Sequence, residues 1–318
     1  MSFLSSLFSG KSATPEEEKQ KQDNKNFEIL KFDGLRAARM GRLDYAILCY
    51  QKALALKPDF EVKQYLSQAY VQGGMLDEAR AQLEEMAAEE PTHIPSLLML
   101  ANVCFMLEDY EAMASAAERI TRIDASNSVA FCLWAKADKG MQNELMCVAH
   151  LTQAIAVDAS NVEALLMRGE ILLQMGQLDE ARKDVEAVMA LSQEEEAMQL
   201  NARILAAECR VEESETLLRQ LVTTYPMTEE TYILLSQLLA AQQRYADAIA
   251  VCDEYVEITD ESAAIFKERG RVKYLSGDKQ GAEKDARKAG ELGDRQFEQC
   301  TGEYRNYVPR TDALGLSL

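Results

Sequence analysis

Proline and glycine are scarce in this chain of 318 residues, which has only 6 prolines and 15 glycines. Aromatic residues make up 7% of the sequence, and there is a single tryptophan. A chain built from strands and tight turns needs more glycine and proline, whereas the abundant alanine, leucine, glutamate and glutamine favour helix. The composition predicts an all-α chain whose core consists of aliphatic and small side chains.

Histidine, the most frequent catalytic base, occurs only twice, as His93 and His150. Neither has a nucleophile at a fitting spacing. The sequence also contains no phosphate-binding glycine loop, dinucleotide-binding glycine pattern, zinc-protease helix motif or calcium loop. We therefore expect no enzyme, no catalytic residue, no cofactor and no metal site.

Cysteine occurs seven times but without clustering, at positions 49, 104, 132, 147, 209, 252 and 300. A scattered, odd-numbered set fits neither a disulfide framework nor a zinc site, and it suits a reducing compartment. No apolar run is long enough to span a bilayer, and the first eight residues make a poor signal peptide. The expectation is a cytoplasmic protein.

A repeat of 33 or 34 residues runs through most of the chain. Its clearest landmark is a glycine followed by an acidic residue and then alanine, as in Gly41–Ala46, Gly74–Ala79 and Gly176–Ala181, with a looser copy at Gly277–Ala282. Aligning the copies places the starts of the repeats near Phe27, Phe60, Ile94, Ser128, Val162, Glu195, Glu229 and Ala263.

Three columns of the aligned repeats have a restricted composition. The eighth position is always small: Gly34, Ser67, Ala101, Ala135, Gly169, Ala202, Ser236 and Gly270. The twentieth is small in all but one repeat: Ala46, Ala79, Met113, Cys147, Ala181, Ser214, Ala248 and Ala282. The thirtieth is apolar at Leu56, Ile123, Val157, Leu191, Ile258 and Leu292, but not at Glu89 and Thr224.

With these columns the chain resembles tetratricopeptide repeat proteins from about residue 27 to residue 293. In that family the two small positions let the helices of a hairpin cross tightly, and the thirtieth seals the layer below. The resemblance implies an all-α, right-handed superhelical solenoid of about eight helical hairpins. We expect an altered hairpin or a local bend in repeat four, where Gly140 falls in the first helix, and in repeat six, where Cys209 replaces the turn glycine.

The two ends differ from the array. Residues 1–26 are expected to be disordered, with a short apolar motif, Phe3-Leu4 and Leu7-Phe8, whose helical spacing would place it on one face. Residues 294–318 are expected to form a capping helix and a loose tail. The N-terminal motif could contact a membrane, a partner or the groove of the array, and membrane contact is expected nowhere else.

The resemblance implies a scaffold that binds a peptide or helix of a partner protein in the concave groove, lined by positions 2, 5, 6, 9, 12 and 13. Position 9 forms a polar row suited to peptide backbone groups: Gln68, Asn102, Lys136, Glu170, Arg203, Gln237 and Arg271. The middle repeats add a pliable apolar strip, part of which must be core: Leu98, Met99, Phe105, Met106, Cys132, Leu133, Leu166, Met167 and Leu173.

The partner is expected to be a protein or peptide, and the chain a monomer or homodimer. With 34 basic and 53 acidic residues the net charge is −19, which repels nucleic acid and disfavours the related RNA-binding pentatricopeptide proteins. A basic corner at Lys267, Arg271 and Lys273 could hold an acidic partner segment. The alternative function is a regulatory receptor, in which a small molecule or short peptide changes the curvature of the array.

Overall fold

The computed structural model describes residues 14–192 and 194–294, and all regular structure in these ranges is helical. The helices are α1 (Pro15–Arg39), α2 (Leu43–Leu56), α3 (Phe60–Gln72), α4 (Leu76–Glu89), α5 (Ile94–Met106), α6 (Tyr110–Ile123), α7 (Ser128–Gly140), α8 (Glu144–Val157), α9 (Val162–Gln174), α10 (Leu178–Leu191), α11 (Glu195–Ala207), α12 (Val211–Thr224), α13 (Glu229–Ala241), α14 (Tyr245–Ile258), α15 (Ala263–Leu275) and α16 (Lys279–Glu291).

Consecutive helices pair into hairpins, and the predicted repeat frame coincides with their starts. The first helices of the last seven hairpins begin at the predicted residues, from α3 at Phe60 to α15 at Ala263. Each of these first helices has 13 residues, and each second helix from α2 to α14 has 14. The prediction of an all-α fold of repeated helical hairpins is confirmed.

The start of α1 departs from the expectation, because residues 15–26 are helical rather than disordered. Thr14 Oγ1 accepts a hydrogen bond from Glu17 N at 3.3 Å, and the Glu17 carboxylate accepts one from Thr14 N at 2.8 Å. Pro15 at the first turn and the acidic residues after it also favour a helix start here. The apolar motif at residues 3–8 and the predicted cap and tail at 295–318 lie outside the described residues.

The small columns form the tightly packed seams of the hairpins. The eighth position is buried in all eight hairpins, and the twentieth is 0% exposed in each of them, Met113 included. The thirtieth position behaves differently from the expectation. Its apolar side chains remain partly open at the ends of the second helices, with exposures of 38–52% at Leu56, Ile123, Val157, Leu191 and Ile258.

Every hairpin turns through a residue with positive φ at the fifteenth position of the repeat. Four of these residues are glycines, Gly41, Gly74, Gly176 and Gly277, with φ between 71° and 93°. The other four, Glu108, Gln142, Cys209 and Gln243, adopt the same left-handed conformation with φ between 57° and 61°. The expectation of altered hairpins in repeats four and six is therefore wrong, since both keep the common turn and helix lengths.

The chain divides into two compact units, Met1–Val157 and Asp158–Leu318. The first has a core cluster running from Phe27 to Ala137, and the second has one running from Ala202 to Val272. Within the described residues no helix combines the length and the apolar character that crossing a membrane requires.

Candidate partner-binding surface

Two pockets of the first unit meet at Tyr65 and Gln68 on α3. One, of about 250 Å³, is lined by residues of α1, α2 and α3, and the other, of about 230 Å³, by residues of α3, α4 and α5. The buried ring of Tyr50 contributes to the first, and the buried side chains of Leu83 and Met86 contribute to the second.

The linings of these pockets coincide with positions expected to face the groove. Tyr65 and Met99 occupy position 6 of their repeats and Gln68 position 9, while Arg39 and Gln72 occupy position 13. Gln64 at position 5 and Pro95 at position 2 complete the set. The predicted site residues Gln68 and Met99 are thus brought together in one pocket.

Tyr65 is held in place by its neighbours. Its hydroxyl donates to Glu61, which also accepts a hydrogen bond from Lys31 of α1. These bonds raise the pKa of Tyr65 and of Lys31 and lower the pKa of Glu61. The Tyr65 ring also lies 5.9 Å from the ring of Tyr50, centroid to centroid. The wall shared by the two pockets is therefore positioned before any partner binds.

The other predicted residues of the first unit differ in exposure. Asn102 is exposed, whereas Lys136, Leu98 and Met99 are half-buried. Leu133 is only 5% exposed and belongs to the core cluster, so its assignment to an open groove is wrong. The remaining strip residues of this unit divide in the same way, since Phe105 and Met106 are exposed and Cys132 is buried.

In the second unit, neighbouring members of the polar row bind each other. Arg203 on α11 forms an ion pair with Glu170 on α9, and both side chains are mostly buried. Leu166 and Met167 are half-buried, and Leu173 is buried. Part of the hydrogen-bonding capacity of Glu170 and Arg203 is therefore already used within the unit.

Gln237 and Arg271 are buried, and their predicted place in an open groove is wrong. Gln237 is 7% exposed, and Arg271 is 2% exposed with Nε and Nη2 each 2.7 Å from the Glu268 carboxylate. The two residues lie on α13 and α15, and α13 is apolar on nearly every face and packs directly against α15. Ser236 of α13 also donates a hydrogen bond to Glu268, the ion-pair partner of Arg271.

The expected basic corner is neutralised by ion pairs. Lys273 Nζ lies 2.8 Å from Asp285 Oδ2, and Lys267 Nζ lies 3.6 Å from Asp294 Oδ2. With Arg271 paired to Glu268, all three cations have acidic partners within the unit. This end of the chain therefore presents no unbalanced basic cluster at these positions.

Comparison with known proteins places the chain in a family. The sequence profile of the tetratricopeptide repeat matches residues 34–94, 148–196 and 200–264, which is more than half of the chain. The chain belongs to the tetratricopeptide repeat family. A comparison with curated protein sequences found no match.

Solved tetratricopeptide repeat structures share the fold. A tetratricopeptide repeat protein from Parabacteroides merdae superposes with a TM-score of 0.66 at 18% identity, over 74% of this chain and 94% of that one. The pilF protein of Pseudomonas aeruginosa superposes with a TM-score of 0.54 at 13% identity, over 69% and 99% of the two chains. At these identities the likeness concerns the fold alone.

Tetratricopeptide repeat proteins generally mediate protein–protein interactions and are generally non-catalytic. Among the residues that the structure describes, Cys147, His150 and Asp138 of hairpin α7–α8 are the set that most resembles catalytic groups. Burial raises the pKa of the Cys147 thiol to about 11, and the side chain is 0% exposed. A protonated thiol that substrate cannot reach is not a nucleophile.

His93 has a structural role in the tetratricopeptide array. Its Nδ1 accepts a hydrogen bond from Ser96 N at 3.2 Å, which caps the first turn of α5. Among the described residues no group of three or more histidine, cysteine, aspartate or glutamate side chains could hold a metal ion.

Sequence reasoning missed Tyr65, Gln64, Gln72 and Arg39 as lining residues. The signal was available, because all four occupy groove positions of the first two repeats. Neither the polar column nor the apolar strip includes these four residues, because the pockets combine an apolar floor with an amide rim.

Proposed function

We propose that this protein is a scaffold that binds an extended segment of a partner protein along α1, α3 and α5, with Tyr65 and Gln68 at the centre. The observation that supports this most strongly is the pair of adjoining pockets that share these two side chains. Both are lined from the groove positions of successive repeats, so one peptide can fill both in sequence.

The pockets have the chemistry to hold apolar side chains of the partner. The Tyr50 ring lines the first, and Leu83 and Met86 line the second, so apolar side chains entering them would leave water. Met99 adapts its shape more readily than a branched side chain does. We therefore expect the bound segment to carry two apolar residues, one for each pocket.

The amides around the pockets supply the polar part of recognition. Gln64, Gln68 and Gln72 each carry a donor and an acceptor, which match the C=O and N–H groups of an extended backbone. Exposed Asn102, one repeat after Gln68, can continue this series along α5. The function needs no covalent step, only a preorganised surface.

The test is selection of binding peptides from a random display library on the purified full chain, followed by calorimetric measurement of Kd. We expect enriched peptides with two apolar residues at a constant spacing. Replacing Gln68 and Met99 together by alanine should weaken binding about tenfold or more, since loss of a hydrogen bond and an apolar contact amounts to roughly 1.5–3 kcal/mol.

Gln153→Ala is the matched control, because Gln153 is an exposed glutamine on α8 of the same unit. It should bind the selected peptides as the unmodified protein does. Equal Kd values for the Gln68→Ala/Met99→Ala variant and the unmodified protein would assign the peptides to another surface and refute the proposal. The receptor alternative gains no support from hairpins four and six, the two that were expected to be altered and could have served as its hinge, since both are regular.

A further inference from the structure

The first hairpin exposes side chains at positions that the other hairpins bury. Ile29 on α1, at the third position of its repeat, is 48% exposed. The seven equivalent residues are at most 3% exposed: Val62, Ser96, Ala130, Ala164, Ala197, Thr231 and Ile265. In the other hairpins the third position is buried whatever residue occupies it. The exposure of Ile29 therefore results from the place of its hairpin in the array and not from the type of residue.

Phe32, at the sixth position, shows the same contrast. It is 61% exposed, whereas its equivalents Leu133, Leu200, Leu234 and Glu268 are at most 5% exposed, and the other three are half-buried. Within the units, the first helix of a hairpin packs against the second helix of the hairpin before it, as α3 does against α2. For α1, no described helix takes that place.

A recess of about 430 Å³ adjoins Ile29, between α1 and α2. Its lining is largely apolar, with Leu30, Ala55 and Leu56 beside Ile29, and Lys52 is the one cation in it. We call Ile29, Phe32 and this recess the uncovered face. A stable occupant should be a short helix with an apolar side and little charge.

The sequence before Thr14 contains a segment of this chemistry. Phe3, Leu4, Leu7 and Phe8 follow the i, i+1, i+4, i+5 spacing that places apolar side chains on one side of a helix. The residues between and beside them are serines, and residues 2–10 include no charged side chain. The segment is thus complementary in chemistry to the uncovered face.

The linker between the apolar segment and α1 is also long enough for the segment to reach the uncovered face. From Pro15 to Ile29, α1 rises about 21 Å, at 1.5 Å per residue. The six residues from Ser9 to Thr14 span up to about 20 Å when extended, at about 3.3 Å per residue. If this linker runs back along α1, Phe8 arrives level with Ile29. A helix continuing in the same direction then carries Leu4 and Phe3 about 6–7.5 Å further, which passes the level of Phe32, about 4.5 Å beyond Ile29.

We propose that residues 2–9 form a short helix that packs on the uncovered face of the same chain, in the place that the second helix of a preceding hairpin would occupy. The segment thereby caps the N-terminal end of the array. It also prevents Ile29 and Phe32 from contacting a second copy of the chain or a lipid surface.

The test replaces Phe32 with the photo-cross-linker benzoylphenylalanine in the full chain, at a position exposed enough to accept it. An equal mixture of ¹⁴N- and ¹⁵N-labelled protein is irradiated, and cross-linked peptides are identified by mass spectrometry. We expect cross-links from position 32 to residues 3–8, with both peptides carrying the same isotope. The same photo-cross-linker at Leu145, which is 72% exposed on α8, is the control and should not label residues 3–8.

Mixed-isotope cross-links would assign the face to a second copy and overturn the proposal. Absence of any cross-link to residues 3–8 would overturn it as well. A second measurement uses Leu4→Ser/Leu7→Ser, substitutions outside the described helices that leave the hairpins unchanged. Amide hydrogen exchange at residues 27–33 should become about threefold faster or more in this variant, because local protection depends on packing. Unchanged exchange would contradict the proposal.

Discussion

His150 Nδ1 lies 2.6 Å from Asp138 Oδ2 inside hairpin α7–α8, where both side chains are buried. Since a carboxylate only accepts, Nδ1 carries the hydrogen of this bond. The imidazole also stacks on the indole of Trp134, with ring centroids 4.1 Å apart and planes 20° apart. The pair links the first and second helices of the hairpin.

His150→Ala should lower the free energy of unfolding by roughly 2–4 kcal/mol, because it leaves a buried carboxylate without this donor. The measurement is urea denaturation followed by circular dichroism. In the double variant Asp138→Ala/His150→Ala, the free energy of unfolding should fall by less than the sum of the decreases in the two single variants. Additive losses would show that the two side chains do not interact.

The turns allow a prediction in the stabilising direction. Glu108, Gln142, Cys209 and Gln243 have positive φ, a conformation that glycine adopts without the steric cost that a Cβ brings. Replacing any of them by glycine should raise the free energy of unfolding by up to about 1 kcal/mol, after the greater flexibility of the unfolded chain is counted.

Gly176→Ala is the reciprocal control for these turns. Its φ is 71°, and no atom lies within 4 Å of an added Cβ, so only backbone strain is tested. Alanine should lower stability by about 1 kcal/mol. A neutral result at Gly176 together with neutral results at the four other turns would mean that this conformation costs nothing here.

The tight crossings of the hairpins should resist added volume. Ala202 is 0% exposed at the eighth position of repeat six, so Ala202→Leu should overpack the crossing and destabilise the protein by roughly 1–3 kcal/mol or more. Gln177→Leu, at an exposed turn position, should be nearly neutral. Thermal denaturation measures both, and comparable losses would mean that the seam is less tightly packed than the burial indicates.

Stability should depend on pH through Glu215. Burial alone raises the pKa of this carboxyl, but hydrogen bonds from Arg244 at 2.7 Å and Arg219 at 2.9 Å outweigh it and hold the pKa below 4.5. The folded state therefore binds protons less readily than the unfolded state. The resulting stabilisation is present above pH 4.5 and is lost as the pH falls through the folded-state pKa.

Glu215→Gln should consequently lower stability at pH 7 by roughly 0.5–1 kcal/mol. The difference from the unmodified protein should shrink as the pH falls below 4.5. Melting temperatures over a pH series measure this, with the exposed Glu212→Gln on the same helix as the control. A difference that stays constant with pH would assign the effect to packing rather than charge.

The hairpin frame was predictable because its determinants are local and repeated. Each hairpin needs a small residue where its two helices cross and a left-handed residue in its turn. Both features therefore recur in the sequence once per repeat. The start of α1 is harder to predict, since Thr14, Pro15 and Glu17 form a capping signal but the polar composition of residues 15–26 is also typical of a disordered segment.

Accessibility of the polar row was harder to predict. Position 9 was identified from the period, and Gln68 and Asn102 are exposed as expected. Whether position 9 faces solvent depends on how closely the first helices of successive hairpins approach. In the second unit α13, which is apolar on nearly every face, packs against α15, and Gln237 and Arg271 on these two helices are buried. The distance between these helices is a tertiary property, and the residues at a single position of the repeat do not determine it.

Packing between helices that are neighbours or next neighbours in the chain also has a consequence for biosynthesis. Since the loops that must close are short and of equal length, the entropy of closing them does not grow as the chain lengthens. Each hairpin can collapse on its predecessor as it leaves the ribosome, before the following repeat is translated. A nascent chain stalled far enough beyond Val157 for that residue to have left the exit tunnel exposes the whole first unit, which should then be able to fold on the ribosome.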